Sequence, residues 1–284
     1  MASTRGFRTS PIPLLKAGPG FQLASVHTGS SPGFSGGKSR GHKMLAQGAK
    51  KLADLQEKLF ADAKFGGNRS LLLVLQAMDT AGKGGTISHV VGAMDPQGVQ
   101  LKAFKAPTEE EKSHDFLWRI RQEIPRPGMV GVFDRSHYED VLIHRVHKWA
   151  PEKELARRYR AITEFEAELA ANGTTIIKVM LHISGQEQKQ RLLARLEDPH
   201  KYWKYSTTDL QERACWQQYM DAYQIAIERS SSEVAPWFVV PADRKWYARL
   251  AVQEIVVDAM NRMDLSWPSG DFDVAQERRN VAAS

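Results

Sequence analysis

The run Leu71-Leu72-Leu73-Val74-Leu75-Gln76-Ala77-Met78-Asp79-Thr80-Ala81-Gly82-Lys83-Gly84-Gly85-Thr86 narrows the folds open to this chain more than any other stretch. Five of its first six residues are aliphatic, the composition of a strand buried on both faces of a parallel sheet. A loop bearing Gly82, Lys83, Gly84 and Gly85 follows, and an apolar-periodic run opens at Ile87. Strand, loop and helix start together form an anion site: backbone N–H groups and the helix dipole converge on a phosphate, and Lys83 adds a point charge. Against the general pattern G-x-x-x-x-G-K-[ST], Ala77 replaces the first glycine and Gly84 stands where the metal-binding hydroxyl belongs. Asp79 is the more telling departure. A bare carboxylate inside a phosphate cradle repels its ligand unless a divalent cation such as Mg²⁺ bridges the two. An ordinary strand–helix connection is the competing reading of Gly-Lys-Gly-Gly, and the flanking strand and helix favour the phosphate loop.

Strands and helices alternate through the chain. Strands are expected at 99–104, 129–134, 174–181 and 237–240 besides the first. Helices are expected at 43–65, 109–124, 136–147, 151–172, 185–196, 210–230 and 245–263. This alternation predicts an α/β fold, a doubly wound five-stranded parallel sheet flanked by helices, with right-handed crossovers and ligands at the carboxyl ends of its strands. The first forty residues differ, being dense in Gly, Ser and Pro between 18 and 41. They read as an extended arm (1–40) ahead of an α/β domain over 41–264, with a lid at about 198–230 and a tail at 265–284. The 284 residues, 42% hydrophobic and 25% charged, allow a full core. A net charge of +6 favours a polyanionic partner. Cys215 stands alone, which excludes an intramolecular disulfide framework. No stretch approaches the roughly 20 apolar residues of a membrane span, and 12–15 is too short for a secretory core. The expectation is a cytoplasmic protein with no membrane partner.

The third strand ends in Val132-Phe133-Asp134-Arg135-Ser136. A carboxylate delivered there, after a phosphate loop in the right order, suits metal positioning, and Arg135 can fork onto a phosphate. The plainer alternative is that Asp134 or Ser136 caps the next helix. Arg191 and Arg195 lie four apart on a helix face, and Lys201 and Lys204 follow among Tyr202, Trp203 and Tyr205. Such a segment either is a solvated basic face or closes over phosphates as a lid. His137, His144 and His147 are spaced wrongly for the usual zinc pairs, and packing or phosphate contact suits His144 and His147 better.

Together these runs resemble the polyphosphate kinase family 2. The resemblance rests on the loop 76–86, on Phe133-Asp134-Arg135-Ser136-His137-Tyr138-Glu139-Asp140-Val141, and on Trp203-Lys204-Tyr205-Ser206 through Asp209-Leu210-Gln211-Glu212-Arg213. Pro107-Thr108-Glu109-Glu110-Glu111, His114-Asp115-Phe116-Leu117-Trp118-Arg119 and the segment from Ala235 to Tyr247 extend it over most of the chain. It implies a P-loop kinase fold like thymidylate kinase, a five-stranded parallel sheet with a helical lid. It also implies Mg²⁺-dependent, reversible transfer of the terminal phosphoryl group of inorganic polyphosphate to AMP and ADP, with guanine nucleotides as further acceptors. A homo-oligomer, dimer or tetramer, is implied too, with no nucleic-acid partner. On this reading Asp79 and Asp134 hold Mg²⁺, Lys83 and Arg135 stabilise the transferred group, and Arg195 acts from the lid as an arginine finger in cis. Ala81, Gly82, Gly84, Gly85 and Thr86 cradle phosphate. Lys102, Lys105, Arg119 and Lys201 are candidates for a polyphosphate groove, with His137, Glu139, Trp203 and Lys204 completing the binding set. Two alternatives stand: an ATP-dependent nucleoside monophosphate kinase, which shares the fold, and a non-enzymatic binder of polyanions, which needs no paired acids at strand ends.

Overall fold

The structure, a computed structural model, describes residues 7–284. The five apolar runs become β1 (Ser70–Ala77), β2 (Val99–Ala103), β3 (Val130–Asp134), β4 (Thr174–His182) and β5 (Trp237–Pro241). They form one parallel sheet in the order β2-β3-β1-β4-β5. Central β1 is covered on both faces, which is why its sequence shows no polar alternation. The chain passes from one side of β1 to the other after β3, so a crevice opens at the carboxyl end of β1. Register pairs Leu75 with Asp134, and Arg135 N–H bonds to the Leu75 carbonyl at 3.0 Å, bringing the ends of β1 and β3 side by side.

The helices are α1 (Ile12–Leu15), α2 (Lys38–Lys64), α3 (Lys83–His89), α4 (Glu109–Ser113), α5 (Trp118–Arg121), α6 (Glu139–Val146), α7 (Glu152–Ala171), α8 (Gly185–Leu196), α9 (Thr208–Ala214), α10 (Trp216–Ser230), α11 (Lys245–Arg262) and α12 (Val274–Ala283). On one face of the sheet, Leu71, Leu73, Val132, Val179 and Val240 pack under α2 and α11. On the other, Leu72, Val74, Phe133, Met180 and Val239 pack under α6, α7 and α10. Helix α11 is buried on nearly every side because it lies between the sheet and α2. Gly41 and Gly48 of α2 permit that approach: a Cβ on them would stand 2.3 Å from Trp246 and 2.1 Å from Gln253.

Three helices differ from expectation. The one expected over 109–124 is two short helices: α4 starts on a Thr108–Glu111 capping box and stops at Ser113. The one expected over 210–230 breaks at Cys215 into α9 and α10. The one expected from 136 starts at Glu139, because 136–138 form a turn. The Gly- and Ser-rich segment before α2 is fastened along β5 as a strap. Ala17 N–H bonds to the Trp237 carbonyl at 2.8 Å, Leu23 N–H to Gln224 Oε1 at 2.7 Å, and Thr28 Oγ1 to Asp243 Oδ2 at 2.7 Å. Tyr247 OH donates to the Pro32 carbonyl at 2.8 Å, and Phe34 packs between Phe7 and Trp246. Among the described residues no helix is long and apolar enough to cross a membrane.

Candidate active site

Beyond β1 the chain turns sharply over the strand end. Thr80 adopts φ 66° and Gly82 φ 116°, left-handed conformations that only glycine takes without cost. Helix α3 then starts at Lys83. Arg135, just past β3, also has a positive φ of 64°. Backbone strain of this kind persists where surrounding contacts enforce it, and it concentrates at functional turns. Here the two strained turns meet. Arg135 Nη2 bonds to Asp79 Oδ1 at 3.0 Å, and Lys83 Nζ lies 3.9 Å from Asp134 Oδ1. Burial works against the charge on Arg135, yet Glu139, Asp79 and Asp134 around it raise its pKa. Gln76 Nε2 donates to Glu139 Oε1 at 2.9 Å, tying the end of β1 to the start of α6.

The donor set at the strand ends fits Mg²⁺. Asp79 and Asp134 are two partly exposed carboxylates, each balanced by a cation that faces the phosphate loop. Mg²⁺ is ordinarily held by one or two carboxylates together with water and substrate phosphates, whereas a structural cage needs more protein ligands.

Two cavities flank the phosphate loop. The first, about 510 Å³, runs between the loop and α8, with Arg195, Lys201, Lys204, Lys245 and Arg249 along it. Burial lowers the pKa of both Lys245 and Arg249, and the neighbouring Arg191 lowers each further. Cations crowded closely enough to depress one another make a site that gains by taking an anion. Among the described residues no aromatic side chain lines it. The second cavity, about 320 Å³, lies between Asp79, Arg135 and Glu139 on one side and Asp209, Tyr219 and Tyr223 on the other. Burial and then the Asp79 charge raise the Asp209 pKa. Burial, with the hydrogen bond to Glu212, holds the Tyr219 phenol un-ionised.

The segment from α8 through the turn 199–204 to α9 forms a roof over both cavities. Arg195 Nη1 donates to the Lys204 carbonyl at 2.8 Å and to Asp209 Oδ2 at 3.2 Å. Arg213 Nη1 donates to the Gly185 carbonyl at 2.7 Å and to Gln188 Oε1 at 2.8 Å, and Gln188 Nε2 donates to the Asp79 carbonyl at 3.1 Å. His147 Nε2 meets Glu212 at 2.9 Å. The roof is thus wired to the phosphate loop.

The strand ends and roof bring together Asp79, Lys83, Asp134, Arg135, Glu139, Arg195, Lys201 and Lys204, with Ala81, Gly82, Gly85 and Thr86 of the loop at the first cavity. Gly84 lies in the same loop with open space above it. Five residues in the expected set lie elsewhere. His137 is 1% exposed and meets Glu166, inside a buried network where Lys178 bonds to Glu166 and Tyr138. The turn after β3 points it into the core. Arg119, 7% exposed, is held by the Lys105 carbonyl at 2.9 Å and by Asp140 and Glu111, so it braces a loop. The Lys105 side chain lines neither cavity. Lys102, on outer strand β2, pairs with Glu123. Trp203 is 78% exposed and lines neither cavity. Arg191 is a brace as well: its guanidinium donates to the carbonyls of Thr80, Ala81, Ala242 and Asp243, joining the phosphate loop to the turn after β5. Lys245 and Arg249 were not among the sequence candidates. Their signal was present: a basic pair four apart directly after the fifth strand must start at the same sheet edge as the phosphate loop.

A parallel sheet of this order, with a phosphate loop after its central strand and acids at two strand ends, is the framework of a P-loop phosphotransferase. Within that class the chain belongs to the polyphosphate kinase 2 family: the family model described as Polyphosphate kinase 2 (PPK2) matches residues 36–267. It is 44% identical over 248 residues to the AMP/ADP-polyphosphate phosphotransferase of Meiothermus ruber, covering 87% of this chain and 91% of that one. It is 43% identical over 247 residues to the ADP-polyphosphate phosphotransferase of Rhodopseudomonas palustris, covering 83% and 84%. The crystal structure of polyphosphate kinase 2 from Arthrobacter aurescens TC1 superposes with a TM-score of 0.97 at 63% identity, covering 98% of each chain. The protein is an enzyme, a transferase of phosphoryl groups.

Proposed function

We propose that this enzyme moves the terminal phosphoryl group of inorganic polyphosphate reversibly onto AMP and ADP, with Mg²⁺, in the cytoplasm and as a homo-oligomer. Guanine nucleotides fit the same acceptor role. The observation that carries the reading is the contrast between the two cavities. The first is a cationic channel without an aromatic ring, which suits a chain of phosphates and gives a base nothing to stack on. The second has two tyrosines and a mixed polar rim, which suits a nucleotide. Homologues whose names specify polyphosphate and AMP or ADP support the choice of these substrates.

In this scheme Asp79 and Asp134 would hold Mg²⁺, which would supply neutralisation of phosphate charge. Lys83 and the N–H groups of the loop fix the terminal phosphate of the donor. Arg135, oriented by Asp79 and Glu139, meets the acceptor phosphate from the second cavity. Arg195 reaches the transferred group from above, and closure of the roof, from α8 through 199–204 to α9, excludes water that would otherwise accept the phosphoryl group. No general base is required, because the attacking oxygen is already anionic.

The test is a coupled assay with Mg²⁺, long-chain polyphosphate and either AMP or ADP, with no ATP supplied. Formation of ATP from ADP establishes donor and reaction, and product from AMP establishes the wider acceptor range. Turnover of ATP with a monophosphate, and none with polyphosphate, would overturn the reading in favour of a nucleoside monophosphate kinase.

A further inference from the structure

A third cavity, about 430 Å³, lies behind the base of the roof and takes no part in the scheme above. The strap segment 22–28 forms one wall, the end of β4 contributes His182, and Trp216 and Met220 of α10 form the opposite wall. The walls are tied together: Gln224 of α10 accepts from Leu23 N–H at 2.7 Å and donates to the Phe21 carbonyl at 2.8 Å. The cavity is preformed.

Its chemistry differs from that of the other two. Among the described residues no lysine or arginine lines it, and Asp221 is the one acidic side chain present. A phosphate would find no cation among the lining residues and one repulsive neighbour. The Trp216 indole, the Met220 thioether and Leu23 offer the flat, polarisable contact that an aromatic ring takes. His182 is 8% exposed, and its Nδ1 is buried with no hydrogen-bond partner among the described residues. Buried polar atoms are nearly always paired; Nδ1 is closed off from the cavity as well, which leaves Nε2, without a partner among the described residues, as the ring nitrogen that can meet a molecule there. Burial lowers its pKa to about 4. The ring is therefore neutral at physiological pH and offers one donor and one acceptor.

We propose that this cavity binds an uncharged nitrogen heterocycle of purine size, a free base or nucleoside, with its ring against Trp216 and Met220 and a polar edge bonded to His182. The site is distinct from the acceptor cavity, since α10 presents Tyr219 and Tyr223 to that cavity from its other face.

The experiment titrates adenine, adenosine and guanosine by calorimetry into the full-length enzyme already saturated with AMP. At least one of the three is expected to bind with Kd below about 1 mM. Ala24→Trp, which fills the mouth of the cavity from the strap, abolishes that binding while AMP turnover with polyphosphate is retained. His182→Phe keeps the ring shape and removes both nitrogens, and it weakens binding by about tenfold, the worth of one good hydrogen bond. His182→Gln restores part of the loss. Absence of binding by all three compounds overturns the proposal. So does binding that AMP displaces, or binding that survives Ala24→Trp and His182→Phe unchanged.

Discussion

At the scale of single residues, chemistry is divided between groups that face the cavities and groups that hold them there. Asp79 does both, since it anchors Arg135 and presents a carboxylate to the phosphate loop. Asp79→Asn keeps the size of the side chain and removes its charge. Turnover is expected to fall on the order of 10²–10³-fold, the cost of losing one preorganised electrostatic contact, with the thermal midpoint little changed. Lys83→Ala and Arg135→Ala should follow the same pattern more mildly. Near-normal steady-state turnover of Asp79→Asn would remove Asp79 from the proposed metal site. The key acids and the loop were legible before the structure because strand order and motif spacing place them. The split between Arg191 and Arg195 was not. The two are equivalent by helical spacing, and only the packing of α8 against the phosphate loop turns one into a buried brace and leaves the other partly exposed at the first cavity. His137 shows the same limit, because the turn after β3, with Arg135 at positive φ, sends it into the core.

At the scale of elements, close approach of α2 to α11 sets the geometry of the basic channel, because α11 carries Lys245 and Arg249 at its first turns. Gly41→Ala would place a methyl group 2.3 Å from the Trp246 ring. Overpacking of this kind is expected to cost about 1–3 kcal/mol in urea unfolding. Much of the loss should be recovered in a Trp246→Leu background, where the clash is relieved. Equal losses in both backgrounds would mean that the helices do not meet at Gly41. The strands were legible as apolar runs, since a sheet covered on both faces leaves little room for other residues. The breaks at 114–117 and at Cys215 were not, because neither carries Gly or Pro and the helical period continues across both. Burial of the strap was illegible for another reason: Gly, Ser and Pro look the same in a loop laid on a strand as in a free one.

At the scale of the whole molecule, two histidines held neutral tie stability to pH. Burial, helped at His144 by Arg158 and Arg119, lowers the pKa of His144 and of His182 to about 4 each. An unfolded histidine takes its proton near 6.5. Between those values the unfolded chain binds more protons than the folded one, so stability is full above about pH 6.5 and falls as pH drops toward 4. Each histidine adds up to about 1.4 kcal/mol per pH unit to that slope. In urea titrations across the window His144→Gln should show a shallower slope by up to one proton; an unchanged slope would show that His144 protonates freely in the folded state. The strap bears on a different property of the whole chain, its order of assembly. Ala17, Thr28 and Pro32 are made more than two hundred residues before their partners Trp237, Asp243 and Tyr247. Closing loops of that length is a late event. The strap therefore stays unfastened while most of the sheet is being made, and the outer edge of β5, the last of the five strands to be made, is covered only once the strap docks on it.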